Sequence, residues 1–170
     1  LSATEGRVRI DGYDIFEEPN KAKRLLGYLP EQPPLYMNET ALEYLKFVGE
    51  AKGLKGRELT SQIENVIQQT RLEGMEHRLI SKLSKGYRQR VGIAQALLGD
   101  PKIIILDEPT AGQDWKTYTE IMSFLKHLNT MGKTIIIITH DMHLMLEYTS
   151  RSLAFAKGKL IADTTPIELL

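Results

Sequence analysis

A chain of 170 residues is long enough for one well-filled core, or for a core with a small subdomain. Its 22 basic and 22 acidic residues cancel, which speaks against a nucleic-acid or anionic-membrane surface, and the absence of cysteine excludes disulfides and thiolate metal sites. The longest apolar runs are strand-length, short of the roughly 18 residues that suggest a membrane span, and no signal peptide is visible, so any link to a membrane is expected to pass through a partner.

Residues 1–12 end in a short alternating strand and a turn at Asp11-Gly12. Leu25 to Leu29 reads as a short strand that breaks at Pro30, Pro33 and Pro34 into a loop carrying Gln32. From Thr40 the pattern turns helical, with Thr40 and Glu43 as a capping box and Leu42, Leu45, Val48 and Ala51 at helical spacing. After a break at Gly53 to Gly56, a second amphipathic segment carries Leu59, Ile63, Val66 and Ile67. Residues 38–82 therefore read as an all-helical insert between strands of an α/β core made of residues 1–37 and 83–170.

Ser84 is placed as the N-cap of a further helix through Val91, Ala94, Leu97 and Leu98. With Gly86 close by, its first turn offers free N–H groups and a positive dipole end to an anion. Ile103 to Leu106 then reads as a strand buried on both faces, ending in Asp107-Glu108-Pro109. In an open α/β sheet the ligand crevice lies just past the carboxyl ends of the strands, so paired acids there point at a ligand or a metal. Trp115, Tyr118, Ile121, Met122, Leu125 and Leu128 mark an amphipathic helix ending near Gly132. A second buried run, Thr134 to Thr139, is followed by His140 and a helix from Asp141. Leu153 to Ala156 and Lys159 to Ala162 read as a hairpin closing the sheet edge, and Thr165-Pro166 as the start of a last helix.

Taken singly, each feature has an ordinary explanation: solvated acids at a loop start, an exposed Gln, a capped helix, a surface His. Their order is more specific. Gln32, Leu83-Ser84-Lys85-Gly86-Tyr87-Arg88-Gln89-Arg90, Ile103 to Glu108, Ala111-Gly112-Gln113-Asp114 and His140 together resemble the ATP-binding cassette of ABC transporters. They stand as Q-loop, signature, Walker B strand with its Glu, D-loop and switch His, with Lys85 and Tyr87 departing from the usual L-S-G-G-Q. The resemblance implies an α/β, P-loop NTPase-like core with a mainly parallel sheet flanked by helices, plus an inserted helical subdomain. It also implies ATP and Mg²⁺ as cofactors, with Asp107 and Gln32 at the metal, Glu108 polarising water and His140 at the γ-phosphate. Ser84, Lys85, Gly86 and Asp114 would act on nucleotide across a dimer of cassettes. Permease subunits would hold the assembly at the inner, cytoplasmic face of the membrane, with residues 38–82 docking on them.

The phosphate-binding motif G-x-x-x-x-G-K-[ST] does not occur in these residues, and no aromatic residue is assigned to adenine stacking. The expectation is of a cassette trimmed at its start, with an unpaired sheet edge and little affinity for ATP. A non-catalytic interaction module is the alternative to a transport ATPase. A non-transport ATPase is disfavoured, because the chain has no coiled-coil or extra-domain insertion. Leu83 to Arg90 resembles exporter cassettes and Ala111 to Asp114 resembles energy-coupling importers, which implies a composite of two subfamilies.

Overall fold

The computed structural model describes residues 5–169. Strand β1 (Arg9–Ile10) and strand β2 (Tyr13–Asp14) form an antiparallel hairpin. Its turn puts Asp11 and Gly12 at φ 50° and 86°, the left-handed pair that Asp-Gly tolerates. A short helix α1 (Pro19–Arg24), which has no counterpart in the sequence reading, precedes strand β3 (Leu26–Leu29).

The capping box forms as expected: Glu43 N–H donates to Thr40 Oγ1 at 3.2 Å and Thr40 N–H to Glu43 Oε2 at 2.8 Å. Helix α2 (Ala41–Ala51) thus starts where predicted, although it buries Ala41, Tyr44, Leu45 and Gly49 and leaves Ala51 exposed. Helix α3 (Gly56–Gln69) buries Leu59, Ile63, Val66 and Ile67. Both helices pack on α4 (Lys85–Leu97), and the apolar cluster runs unbroken from Leu45 and Leu59 through Val91 to Ile104 and Leu106.

Strands β3, β4 (Ile103–Asp107) and β5 (Thr134–Ile138) form a parallel sheet in that order. The register aligns Leu29 with Leu106 and Leu106 with Ile137. Helix α4 presses so closely on β3 that a Cβ at Gly27 would overlap the Ala96 carbonyl, and one at Gly92 would lie 2.7 Å from Leu29 Cδ1. That approach keeps Leu29, Ile104 and Leu106 out of water. The opposite face corrects the expectation of strands buried on both sides. Tyr28, Ile105 and Ile136 align across it in register, and Tyr28 and Ile136 are exposed, as is Ile138.

Helix α5 (Trp115–Thr130) buries Tyr118, Ile121, Met122, Leu125 and Leu128 but leaves Trp115 outside, stacked on Tyr118 with centroids 5.3 Å apart. Helix α6 (Met142–Tyr148) starts on an Asp141 cap. Strands β6 (Ser152–Ala156) and β7 (Lys159–Thr164) pair as the predicted hairpin, through a left-handed turn at Lys157 and Gly158. They form a separate two-stranded sheet rather than an edge of the parallel one. Past Thr165 the described chain makes a turn, where a helix was expected. The Thr165 N–H does donate to Glu168 at 3.2 Å, as at a helix start.

Lys52, at the end of α2, closes the carboxyl end of α4. Its Nζ donates to the carbonyls of Gln95 (3.1 Å), Ala96 (3.4 Å) and Leu98 (2.7 Å), acceptors the helix leaves unused. Burial pushes this amine from 10.5 down to about 8. The unfolded chain therefore binds more protons at this position between those values, so folding gains as pH rises through the window. Stability of the chain relative to Lys52→Met, measured by urea denaturation, should rise from pH 8 to pH 10.5. A flat or falling difference would place the amine in water.

Candidate active site at the carboxyl edge of the sheet

Because β3, β4 and β5 run parallel and in register, their exits lie along one edge. Gln32 follows β3, Asp107 and Glu108 end β4, and Thr139 and His140 follow β5. Asp107 pairs with Ile138, so the first residues after β5 arrive beside Glu108. Glu108 adopts φ +46°, a left-handed backbone uncommon outside glycine, and its N–H is held by the Ile138 carbonyl at 2.9 Å.

This turn aims the Glu108 carboxylate at the end of β5. Oε1 accepts from the His140 backbone N–H at 3.0 Å and lies 2.6 Å from His140 Nδ1, while Oε2 accepts from the Thr139 hydroxyl at 3.0 Å. The carboxylate is mostly shielded, whereas the imidazole is 90% exposed. With Nδ1 engaged, the ring presents Nε2 outward. The Thr139 hydroxyl also accepts from Asp141 N–H at 3.0 Å, so one side chain joins the carboxylate to the start of α6.

Other predicted residues stand apart from this cluster. Gln32 is exposed and Asp107 half-buried, and neither side chain has a hydrogen-bond partner among the described residues. Among the described residues no group of three or more His, Cys, Asp or Glu stands together as a metal cage. A single carboxylate such as Asp107 still suits Mg²⁺, a hard cation that takes few protein oxygens and keeps several waters.

Ser84 caps α4 by accepting from Tyr87 N–H at 3.3 Å, which leaves its hydroxyl proton free to donate outward. Gly86 lets this first turn lie against residues 111–117: a Cβ there would be 3.4 Å from Gln113 Oε1 and 3.6 Å from Thr117 Cγ2. The Lys85 amine lies over Gly112, in space that a Cβ at that position would claim. Asp114 caps α5, accepting from Thr117 N–H at 3.0 Å and Thr117 Oγ1 at 2.8 Å, and these bonds hold its carboxyl below the ordinary range. Signature and D-loop segments are therefore neighbours within one chain. Thr139 and Gln89 were missed by the sequence reading. The only signal for Gln89 is that it stands three residues after Gly86, on the same helical face.

A family model described as ABC transporter matches residues 1–111. The chain belongs to the ABC transporter family. An ABC transporter ATP-binding protein of Lactobacillus johnsonii is 55% identical over 174 aligned positions, covering 99% of this chain and 30% of that protein. One from Enterococcus faecalis is 43% identical, covering 100% of this chain and 30% of its own length. The chain thus spans under a third of the length of these curated relatives. Both run through residue 111, so no join of two subfamilies is needed to account for the cassette.

CbiO1 of Clostridium perfringens, part of the transporter complex cbiONQ, superimposes with a TM-score of 0.85 at 29% identity, covering 99% of this chain and 69% of that one. The cassette MJ0796, solved as a dimer in a post-hydrolysis state bound to ADP and Pi, gives 0.83 at 30% identity, covering 96% and 74%. The ABC cassette architecture, a P-loop NTPase-like α/β core with a parallel sheet and helices, is thereby established.

The left-handed backbone at Glu108 costs about 1 kcal/mol or more for any side chain bearing a Cβ. Glu108→Gly should therefore be more stable than Glu108→Ala by about that amount in chemical denaturation. Equal stability of the two variants would mean that the turn relaxes when the carboxylate is gone.

Proposed function

We propose that this chain is the ATP-hydrolysing part of an ABC transporter, coupling ATP binding and hydrolysis to movement of a solute across a membrane. The observation that carries the reading is the engagement of Glu108 by Thr139 and His140 at the exits of adjacent parallel strands. A carboxylate has about four acceptor positions, and three are taken, which leaves room on Oε2 for one water. Glu108 would orient that water and receive its proton as the oxygen attacks the γ-phosphorus and the bond to the β,γ-bridging oxygen breaks. The outward Nε2 of His140 would donate to the γ-phosphate.

Asp107 and Gln32 would hold Mg²⁺, which neutralises charge on the phosphates when bound. The Ser84 hydroxyl, the N–H groups around Gly86 and the Lys85 amine would meet the nucleotide of a second cassette, with Asp114 beside them. Lys85 must first leave Gly112 to do so. A phosphate-binding loop is still required, and it is not among these residues.

Residues 38–82 form the proposed docking subdomain for permease subunits. Support comes from an exposed apolar patch just beyond Gln32, where Tyr36 lies 5.3 Å from Phe47, with Met37 beside it in sequence and the buried Tyr44 beneath. No helix among the described residues is long and apolar enough to cross a membrane.

Turnover should be measured in a polypeptide that carries these residues together with a phosphate-binding loop. Glu108→Gln should abolish hydrolysis while nucleotide-bound dimers persist, and His140→Ala should lower kcat more than nucleotide affinity. Near-normal turnover of Glu108→Gln would remove Glu108 from the chemistry, and equal losses of kcat and affinity would make His140 structural.

A further inference from the structure

Gln89 is a polar side chain on the buried face of α4, 9% exposed. Its Nε2 donates to the Pro109 carbonyl at 2.9 Å. A carbonyl can only accept, which fixes the amide with its nitrogen toward Pro109. Pro109 and Thr110 are themselves buried, so this acceptor has no water to fall back on. Among the described residues this is the one side-chain hydrogen bond between α4 and residues 107–114.

Pro109 directly follows the left-handed Glu108. A strained residue persists only where its surroundings over-determine it. On one side Glu108 is tied to β5 through the Ile138 carbonyl, Thr139 and His140. On the other the turn is closed by Ala111 N–H to the Glu108 carbonyl at 3.1 Å and Gln113 N–H to the Thr110 carbonyl at 3.2 Å. Gln89 clamps the peptide between these two halves onto the signature helix.

We propose that Gln89 is a positioning residue for Glu108, holding the turn that aims the carboxylate and tying that aim to the placement of the signature helix. The structural half stands on this geometry, and the catalytic half rests on Glu108 acting as proposed above. A shift of α4, such as a nucleotide or partner at its first turn would cause, is passed to Pro109 and so to the carboxylate. Gln95 provides the internal control. It lies on the same helix and bonds the Tyr28 carbonyl at 2.7 Å, away from the turn.

Two readouts test this. Hydrogen exchange on the 170-residue chain should show Gln89→Met accelerating the amides of Glu108, Ala111 and Gln113 by about tenfold, with Ile104 to Leu106 unchanged. Gln89→Glu, isosteric but with no N–H to donate, should give the same local pattern, and Gln95→Met should not. In an ATP-hydrolysing polypeptide, Gln89→Met should lower kcat about tenfold with KM for ATP unchanged, and Gln95→Met should change neither. Unchanged exchange at residues 108–113 in both Gln89 variants overturns the proposal, as does an unchanged kcat of Gln89→Met where Glu108→Gln abolishes turnover. If Glu108→Gln alone leaves turnover intact, the functional reading fails while the exchange result still decides what Gln89 holds.

Discussion

The pairing of Asp107 with Ile138 is the constraint on which the rest of this cassette depends. Parallel register sets which residues leave the sheet together, and a slip of one residue would turn every side chain of the strand to the other face. As built, Glu108 and His140 leave adjacent strands side by side. Their contact needs no long loop, only a left-handed residue at the end of β4 and a hydroxyl at Thr139 to catch the second oxygen. Four apolar residues in β4, two of them wholly buried in the core, hold that register in place.

Helix α4 is the element through which the other parts reach the site. At its carboxyl end Lys52 joins it to α2. Midway, Arg90 donates to the Thr70 carbonyl at 3.0 Å, past the end of α3, and pairs with Glu120 of α5, which Arg71 also approaches at 3.2 Å. Near its start Gln89 grips the Walker B turn. The helical insert, the D-loop helix and the acid turn are thus all fastened to one rigid rod. In the proposed function this is a physical route from a docked permease to the carboxylate. It needs no mobile linker.

Much of this was legible in the chain. Thr40 with Glu43, Ser84 and Asp141 announce helix starts because a side-chain oxygen satisfies N–H groups that nothing else reaches, a local requirement visible without the fold. The Ile-rich runs announce parallel strands. They overstate burial, because a run apolar on both faces says what the strand could bury and not what covers it. Tyr28 and Ile136 remain open on the face away from α4. The hairpin at Lys157-Gly158 was legible, yet not its detachment from the parallel sheet, since edge pairing is a long-range choice. Helix α1 was missed: its six residues carry one buried side chain, Ala22, too few for periodicity to show. Gln89 was invisible for a different reason. A glutamine flanked by Arg88 and Arg90 looks like surface until its partner, twenty residues on, is known.

In the proposed function labour is divided: Glu108 and His140 would orient water and sense the terminal phosphate, while the phosphates themselves must be gripped by a loop that the 170 residues do not contain. Asp107 and Glu108 at the sheet edge would repel an unneutralised triphosphate, and Mg²⁺ would have too few protein ligands here to bridge the two. Calorimetric titration of this chain with ATP and Mg²⁺ tests that division most directly. The account predicts no saturable heat, or binding too weak to saturate at millimolar nucleotide. Micromolar binding at one site per chain would show that the phosphates are held without that loop, and would contradict it.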